Sequence, residues 1–409
     1  MTKTFDYEAV DASGKRTKGR IEATTDGVAA ATLRQQGVVP LSLIESGKGL
    51  RKDLQLPGLG GRVKLKDLAI VVRQFATMTA SGLSLLRSLA ILEEQTGKPA
   101  LAAALRDVRR GVESGLSLSG ALAKQDKIFP RLMIAMVAAG ETGGFLDQAL
   151  DRIATNFEKD ANLRAKIKSA LTYPVIVICF SVLMIVGVLT FIVPIFEKMF
   201  KQLGGNLPLP TQIMVTASHS MYWLLPLCIV VAVFTTSWLR RKLHDDYSWR
   251  LAADKLKLRL PVFGTLATKI AISRFARNLG TLLAVGVPVM QALDIVGATT
   301  GNAVVGEAMK DVQKAVRDGQ PMSAPLARHD IFPAMVVQMI QVGEESGQIS
   351  PMLDKVADFY DHEVETSTES LTAAIEPIMV VVMGALIGVM VICLYLPMFT
   401  IYEHIQGAN

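Results

Sequence analysis

Residues Tyr173 to Phe196 contain no charged side chain, and neither do the runs Tyr222–Leu239 and Pro377–Tyr402. A hydrocarbon core of about 30 Å takes about 20 apolar helical residues to cross, and inside it every backbone N–H and C=O must be satisfied by the helix itself. Three such runs predict an integral membrane protein with three spans. The second run is the shortest. It contains Pro226 and carries Tyr222 and Trp223 at one end and Trp238 at the other, as interfacial aromatic anchors do. Charged residues still make up 20% of the chain, too many for one lying wholly in lipid. The remainder must fold in water.

Lysine and arginine set the expected orientation. Lys159, Arg164, Lys166 and Lys168 precede the first run, and Arg240, Arg241, Lys242 and Arg250 follow the second. The connection between them has only Lys198 and Lys201, and the tail EHIQGAN has neither residue type. The positive-inside rule then puts residues 1–170 and 241–375 in the cytoplasm, with the 197–221 loop and the C-terminus outside. A bacterial inner membrane is the natural setting. The N-terminal MTKTFDYEAVDASGK has no apolar core of a signal peptide and reads as a cytoplasmic start. The net charge of +6 suits such a protein, and the basic residues lack the interleaved aromatics of a nucleic-acid groove, so no nucleic acid is expected.

The chain also repeats itself. RQFATMTASGLSLLRSL from Arg73 matches RNLGTLLAVGVPVMQAL from Arg277, and Phe129-Pro130, Gly140-Glu141 and Pro174 recur as Phe332-Pro333, Gly343-Glu344 and Pro377. The unit is a soluble domain plus the span behind it, and the second span returns the chain to the inner side. Leu101, Leu105, Val108 and Val112 fall at helical spacing, as do their counterparts Val305, Met309, Val312 and Val316. Each soluble domain is expected to be an antiparallel helical bundle. Ser350-Pro351 reads as a helix N-cap followed by proline at the first position. Phe5–Val10, Thr17–Ala23 and Val39–Ile44 look like strands around a helix at Asp26–Gln36.

The predicted fold class is a mainly α integral membrane protein with two homologous bundles, three transmembrane helices and a small N-terminal α+β unit. Its expected divisions are a ββαβ-like unit at 1–46, a linker at 47–64 and a first helical domain at 65–170. The first span follows at 171–196, an external loop at 197–221 and the second span at 222–240. The second helical domain takes 241–375, the third span 376–402 and the external tail 403–409.

No catalytic centre is legible. There is no glycine-rich loop ending in Gly-Lys-Ser or Gly-Lys-Thr, and Gly58, Gly60 and Gly61 read as linker. Cys179, Cys228 and Cys393 stand alone in apolar runs, and the five histidines share no metal-binding spacing. Neither enzyme activity nor a cofactor nor a metal is expected. A secondary transporter would carry polar groups or broken helices near the bilayer midplane, and these spans carry no charge there.

Two places stand out. GETGG (Gly140, Glu141, Gly143, Gly144) is echoed by GEESG (Gly343, Glu344, Gly347). Its glycines suit a helix–helix reversal, while Glu141 and Glu344 are open either to pairing with a basic group or to helping hold a cation. Tyr173-Pro174 and Glu376-Pro377 stand where the first and third spans begin. Both prolines suit a first helical turn, and Glu376 is either a headgroup-level residue or a site. The approach to the third span carries Asp354, Asp358, Asp361, Glu363, Glu365 and Glu369, either a solvated face or an acidic surface for a basic partner or for the basic first repeat.

These features together, with YLPMF at Tyr395–Phe399, FDYEAVDASGKRTKGRIEA near the start and LRQQGVVPLSLIE, resemble the inner-membrane platform protein of type IV pilus and type II secretion machines, the PilC/GspF family. GVPVMQALDIVGATTGN and MLDKVADFY look more like the pilus branch. The resemblance implies a homo-oligomeric platform in membrane lipid beneath a growing fibre. It implies contact with a hexameric assembly ATPase and with a retraction ATPase where one exists. It also implies contact with prepilin or pseudopilin subunits and with other inner-membrane alignment components.

Overall fold

The computed structural model describes residues 3–10, 16–24, 26–35, 37–45, 63–202, 209–261 and 263–406. The expected linker stretch Ser46–Gly61 and the last three residues of the tail lie outside these. The chain divides into two units, 1–62 and 63–409.

In the first unit, β1 (Lys3–Val10) lies at the centre of an antiparallel sheet between β2 (Arg16–Ala23) and β3 (Val39–Glu45). The β1–β3 register shifts between Glu8 and Ala9, where Ala9 faces Pro40, a residue with no N–H to donate to a ladder. Helix α1 (Asp26–Gln35) buries Ala29 and Leu33, one turn apart. Gly37 ends it in a left-handed turn at φ 79°.

In the second unit one helical plan occurs twice. The first copy is α2 (Leu65–Ala80), α3 (Leu85–Gln95), α4 (Pro99–Glu113), α5 (Leu118–Ala123), α6 (Arg131–Gly143) and α7 (Leu146–Gly187). A π-helical turn (Val188–Ile192), α8 (Val193–Gln202), α9 (Leu209–Asp245) and α10 (Tyr247–Arg259) follow. The second copy is α11 (Phe263–Ala284), α12 (Val289–Thr299), α13 (Ala303–Arg317), α14 (Ser323–Leu326), α15 (Ala334–Ser346) and α16 (Ile349–Gln406). Apolar residues one turn apart explain the matching starts. Leu101, Leu105 and Val108 are buried in α4 as Val305, Met309 and Val312 are in α13. Phe332, the counterpart of the buried Phe129, packs edge-on against Phe275 with ring centroids 4.9 Å apart.

The sequence predicts two homologous bundles and leaves open whether they touch. The structure has one buried cluster running through both copies, because α6 and α7 pack directly on α11, and α6 also on α12. The reason is visible in α11. Every residue from Ala271 to Leu282 except Arg274 is buried, so this helix needs neighbours on all sides, and its own copy supplies only some of them.

Two helices, Leu146–Met199 and Ile349–Cys393, are long and apolar enough to cross a membrane. Within α9 the pieces Leu209–Met221 and Pro226–Leu243 meet at 61° and together would make a third span. Pro226 supplies no N–H to the preceding turn and its ring crowds that turn's carbonyl, which explains a bend there.

Several expectations need correcting. Pro174 and Pro377 do not start helices; they lie well inside α7 and α16, which begin far upstream. The 197–221 stretch is not a loop over most of its length. Helix α8 runs on to Gln202 and α9 begins at Leu209, held by Ser218 Oγ donating to the Leu189 carbonyl at 2.5 Å and Thr211 Oγ1 to the Cys393 carbonyl at 2.7 Å. Leu189 lies in the π-helical turn, where the altered ladder offers a carbonyl to a neighbour. Ser350 is not an N-cap. Helix α16 starts at Ile349, and the Ser350 hydroxyl donates instead to the Gly280 carbonyl at 2.8 Å.

Candidate functional site

The GETGG and GEESG reversals are built alike. Helix α6 ends at Gly143, and Gly144 adopts φ 76° before α7; α15 ends at Ser346, and Gly347 adopts φ 69° before α16. Gly140 and Gly343 lie where the two helices of each hairpin touch. A Cβ on Gly140 would fall 2.7 Å from the Ala149 Cβ, and one on Gly343 would fall 2.9 Å from the Ile349 Cα. Glu141 and Glu344 belong to no group of three metal-ligating residues among the described residues, and their hydrogen bonds run to the backbone and a hydroxyl of their own copy. Glu141 accepts the N–H groups of Leu118 (2.5 Å) and Ser119 (2.9 Å) and the Ser119 hydroxyl. Glu344 accepts those of Met322 (2.5 Å) and Ser323 (3.1 Å). Each carboxylate satisfies the orphan N–H groups at the start of a short helix, which neither a nearby lysine nor a cation could do.

A larger polar constellation lies at the seam between the copies. On α2, Arg73 forks onto Glu158 of α7, with Nε and Nη2 each 2.7 Å from a carboxylate oxygen, and also reaches Asp151 and Thr155. On α11, the equivalent Arg277 reaches Asp361 of α16, and Asp358 at 3.2 Å. Asp361 also accepts the Ser273 hydroxyl. The same arginine therefore fastens the first helix of each bundle to its last. In the first copy the receiving acids, Asp151 and Glu158, stand two turns apart on the long helix, and in the second Asp358 and Asp361 stand about one turn apart.

Between the copies, Lys159 donates to Asp358 at 2.7 Å and Lys166 to Glu365 at 2.5 Å. Arg274 reaches Asp160 at 3.2 Å, and the buried Asn156 amide faces Asn278 (3.4 Å) and Thr281 (3.3 Å). Nearer the spans, Leu163, Leu266, Val364 and Leu371 close a small apolar cluster. Hydrogen bonds from Arg73 hold the Glu158 carboxyl below its usual range, and those from Lys166 do the same for Glu365. Burial alone would raise Asp358, but Lys159 and Arg277 together outweigh it and hold it low. A groove of about 810 Å³ opens beside these pairs, lined by acids of both long helices (Asp147, Asp151, Asp354, Asp358) with Lys159 and Arg277.

The acidic approach to the third span thus meets the basic approach to the first, one of the two alternatives the sequence left open. Tyr173 is exposed and Pro174 buried, whereas Glu376 and Pro377 are both exposed on α16. The seam does not gather these four. Sequence reasoning gave Arg73 and Arg277 no role, although each opens a copy of the repeat. The available signal was a repeated arginine on an apolar helix, matched by carboxylates recurring at Asp151, Glu158, Asp354 and Asp361.

Such a fold defines a helical protein made from one duplicated bundle, each copy of which continues into a membrane-length apolar helix. Residues 71–194 and 275–397 match the family model for type II secretion system protein F, and residues 1–44 match its N-terminal domain. The type IV pilus assembly protein PilC of Thermus thermophilus is 44% identical over 400 residues, covering 97% of this chain and 98% of that protein. PilC of Myxococcus xanthus is 40% identical over 408 residues, covering 99% and 96%. The type II secretion system protein F of Vibrio cholerae is 30% identical over 397 residues, covering 96% and 97%. The chain belongs to the PilC/GspF family of type IV pilus and type II secretion proteins, on its PilC branch.

Proposed function

We propose that this chain is the inner-membrane platform of a type IV pilus machine, passing the work of a hexameric assembly ATPase to prepilin subunits as they enter the fibre. In this reading α7, α9 and α16 supply three spans. Residues 1–170 and 241–375 lie in the cytoplasm, the C-terminus lies outside, and copies of the chain assemble with the alignment components around the fibre base. A retraction ATPase, where one exists, would act on the same surfaces.

The observation that carries it is continuity. Helices α7 and α16 each run from the charged seam into the apolar stretch without a loop. At about 1.5 Å per residue, their lengths come to roughly 63 and 87 Å, far beyond the roughly 30 Å of a bilayer core. A push on either bundle then reaches the membrane through a helix that no loop interrupts. Tyr173 and Glu376 hold equivalent places in the two copies, and we assign both to partner contact where these helices enter the lipid.

A short glycine joint inserted between Ala170 and Leu171 tests this. Surface pili should vanish while membrane insertion and ATPase recruitment persist. Wild-type piliation with the joint in place would sink the reading. The likeness to protein F of Vibrio cholerae favours secretion as the second reading. Rescue of protein export rather than pili, in strains lacking one or the other component, would decide for it.

A further inference from the structure

We propose that α10 lies flat on the membrane surface, with its outward stripe seated among the headgroups of an anionic bilayer. The proposal rests on the reading of α9 as a span. Helix α10 follows α9 after a single residue, Asp246, whose carboxylate accepts the Ser248 N–H at 2.9 Å.

One face of α10 is tied to the second copy of the repeat. Asp254 is buried and accepts the Ala303 N–H at the start of α13 (2.9 Å) while pairing with Lys257 (2.8 Å). Tyr247 lies under the Lys310 ammonium, 4.7 Å from its ring centroid. At 3.6 residues per turn, Trp249, Ala252 and Leu256 fall on the side opposite Asp254. They are exposed there, Trp249 by 47% and Leu256 by 65%, and the stripe continues into the exposed Leu260 and Phe263. Nothing in the chain covers this stripe among the described residues.

Three observations name a lipid surface as its occupant. Trp249 meets Trp238 edge-on at 6.3 Å, so α10 starts level with the end of the apolar stretch of α9. Tryptophan favours this headgroup level. Arg240, Arg241, Lys242, Arg250, Lys255 and Arg259 outnumber Asp245, Asp246 and Asp254 in the same stretch, a balance that attracts anionic lipid. An apolar stripe with basic surroundings, next to a span, has the character of an in-plane helix.

The chain has three tryptophans. The full-length W223F/W238F variant therefore reports on Trp249 alone, and W223F/W249F on Trp238 alone. Both would be placed in nanodiscs of phosphatidylglycerol or phosphatidylcholine whose acyl chains are brominated near the headgroup or near the tail. Trp249 should be quenched by the shallow bromines, spared by the deep ones and shielded from aqueous acrylamide, with stronger quenching in phosphatidylglycerol. Leu256→Glu should remove the acrylamide shielding. Trp249 open to acrylamide and untouched by bromine would overturn the proposal, as would shielding from both, which a protein contact would give. Equal quenching in the two lipids would overturn the anionic assignment. Quenching of Trp238 without Trp249 defeats the in-plane helix alone, whereas loss of both defeats the span reading with it.

Discussion

Lys159 on α7 reaches Asp358 on α16 at 2.7 Å, joining the two membrane-directed helices across the boundary between the repeats. Both side chains are substantially open to water, 42% and 59% exposed, so screening keeps the pair weak. A double-mutant cycle with Lys159→Ala and Asp358→Ala, read by thermal unfolding in detergent, should give a coupling of about 0.2–1 kcal/mol that shrinks with added salt. No coupling at low salt would mean that the two residues do not meet in solution.

Arg277 is a different case, since its side chain is only 9% exposed. Asp361→Asn removes its main partner and leaves this buried charge only the longer Asp358 contact at 3.2 Å, at an expected cost of about 3 kcal/mol. Glu158→Gln should cost less, because Arg73 is 35% exposed and keeps Asp151. Equal losses from the two changes would refute this ranking.

The seam carboxylates also fix a pH response. Glu158, Asp358 and Glu365 are all held low in the folded chain. Their contribution is complete above the unfolded carboxylate values of about 4 and is lost as pH falls through the lower folded ones. Stability should therefore stay level from pH 8 to about 5 as far as these groups matter, and fall only in stronger acid. Melting temperatures of the wild type and of the E158Q/D358N/E365Q variant from pH 8 down to about 2 would show it: the variant should lose part of the acid limb. An unchanged limb would contradict the assignment.

Ser88 is fully buried, and its hydroxyl has no hydrogen-bond partner among the described residues. The second copy places Ala292 at the matching position, also fully buried. Ser88→Ala should stabilise the protein by about 1 kcal/mol, because an unsatisfied buried group is removed at almost no loss of volume. A lower melting temperature would show that the hydroxyl has a partner after all.

Gly140→Ala should destabilise by about 1–3 kcal/mol, because the new methyl would press on Ala149 and the Leu146 backbone. Gly97→Ala, where a Cβ would meet nothing within 4 Å, is the control. Similar melting temperatures for the two variants would argue against close packing of the α6–α7 hairpin.

The repeat was legible because apolar spacing, paired glycines and Phe-Pro steps recur at a nearly constant offset, and α12, α13, α15 and α16 start where that offset places them, whereas α11 starts several residues earlier. Helix continuity was not. Hydropathy marks where lipid begins, but the backbone ladder runs through the boundary, so Pro174 and Pro377 were mistaken for starting points. The roles of Glu141 and Glu344 were hidden for another reason. Their partners are backbone N–H groups more than twenty residues earlier, which no side-chain motif announces. The acids of α16 showed their charge in the sequence, but only packing shows that their counter-ions stand on α7.

Lys159 and Lys166 are seven residues apart, and so are Asp358 and Glu365, so the two links stack two turns apart along one stripe. Sliding one helix past the other would have to break both at once, and the leucine–valine cluster beside them with it. In the proposed platform the pair would act as a braced strut with two legs, so that a load taken up by one bundle would be shared by the other before it arrived at the lipid.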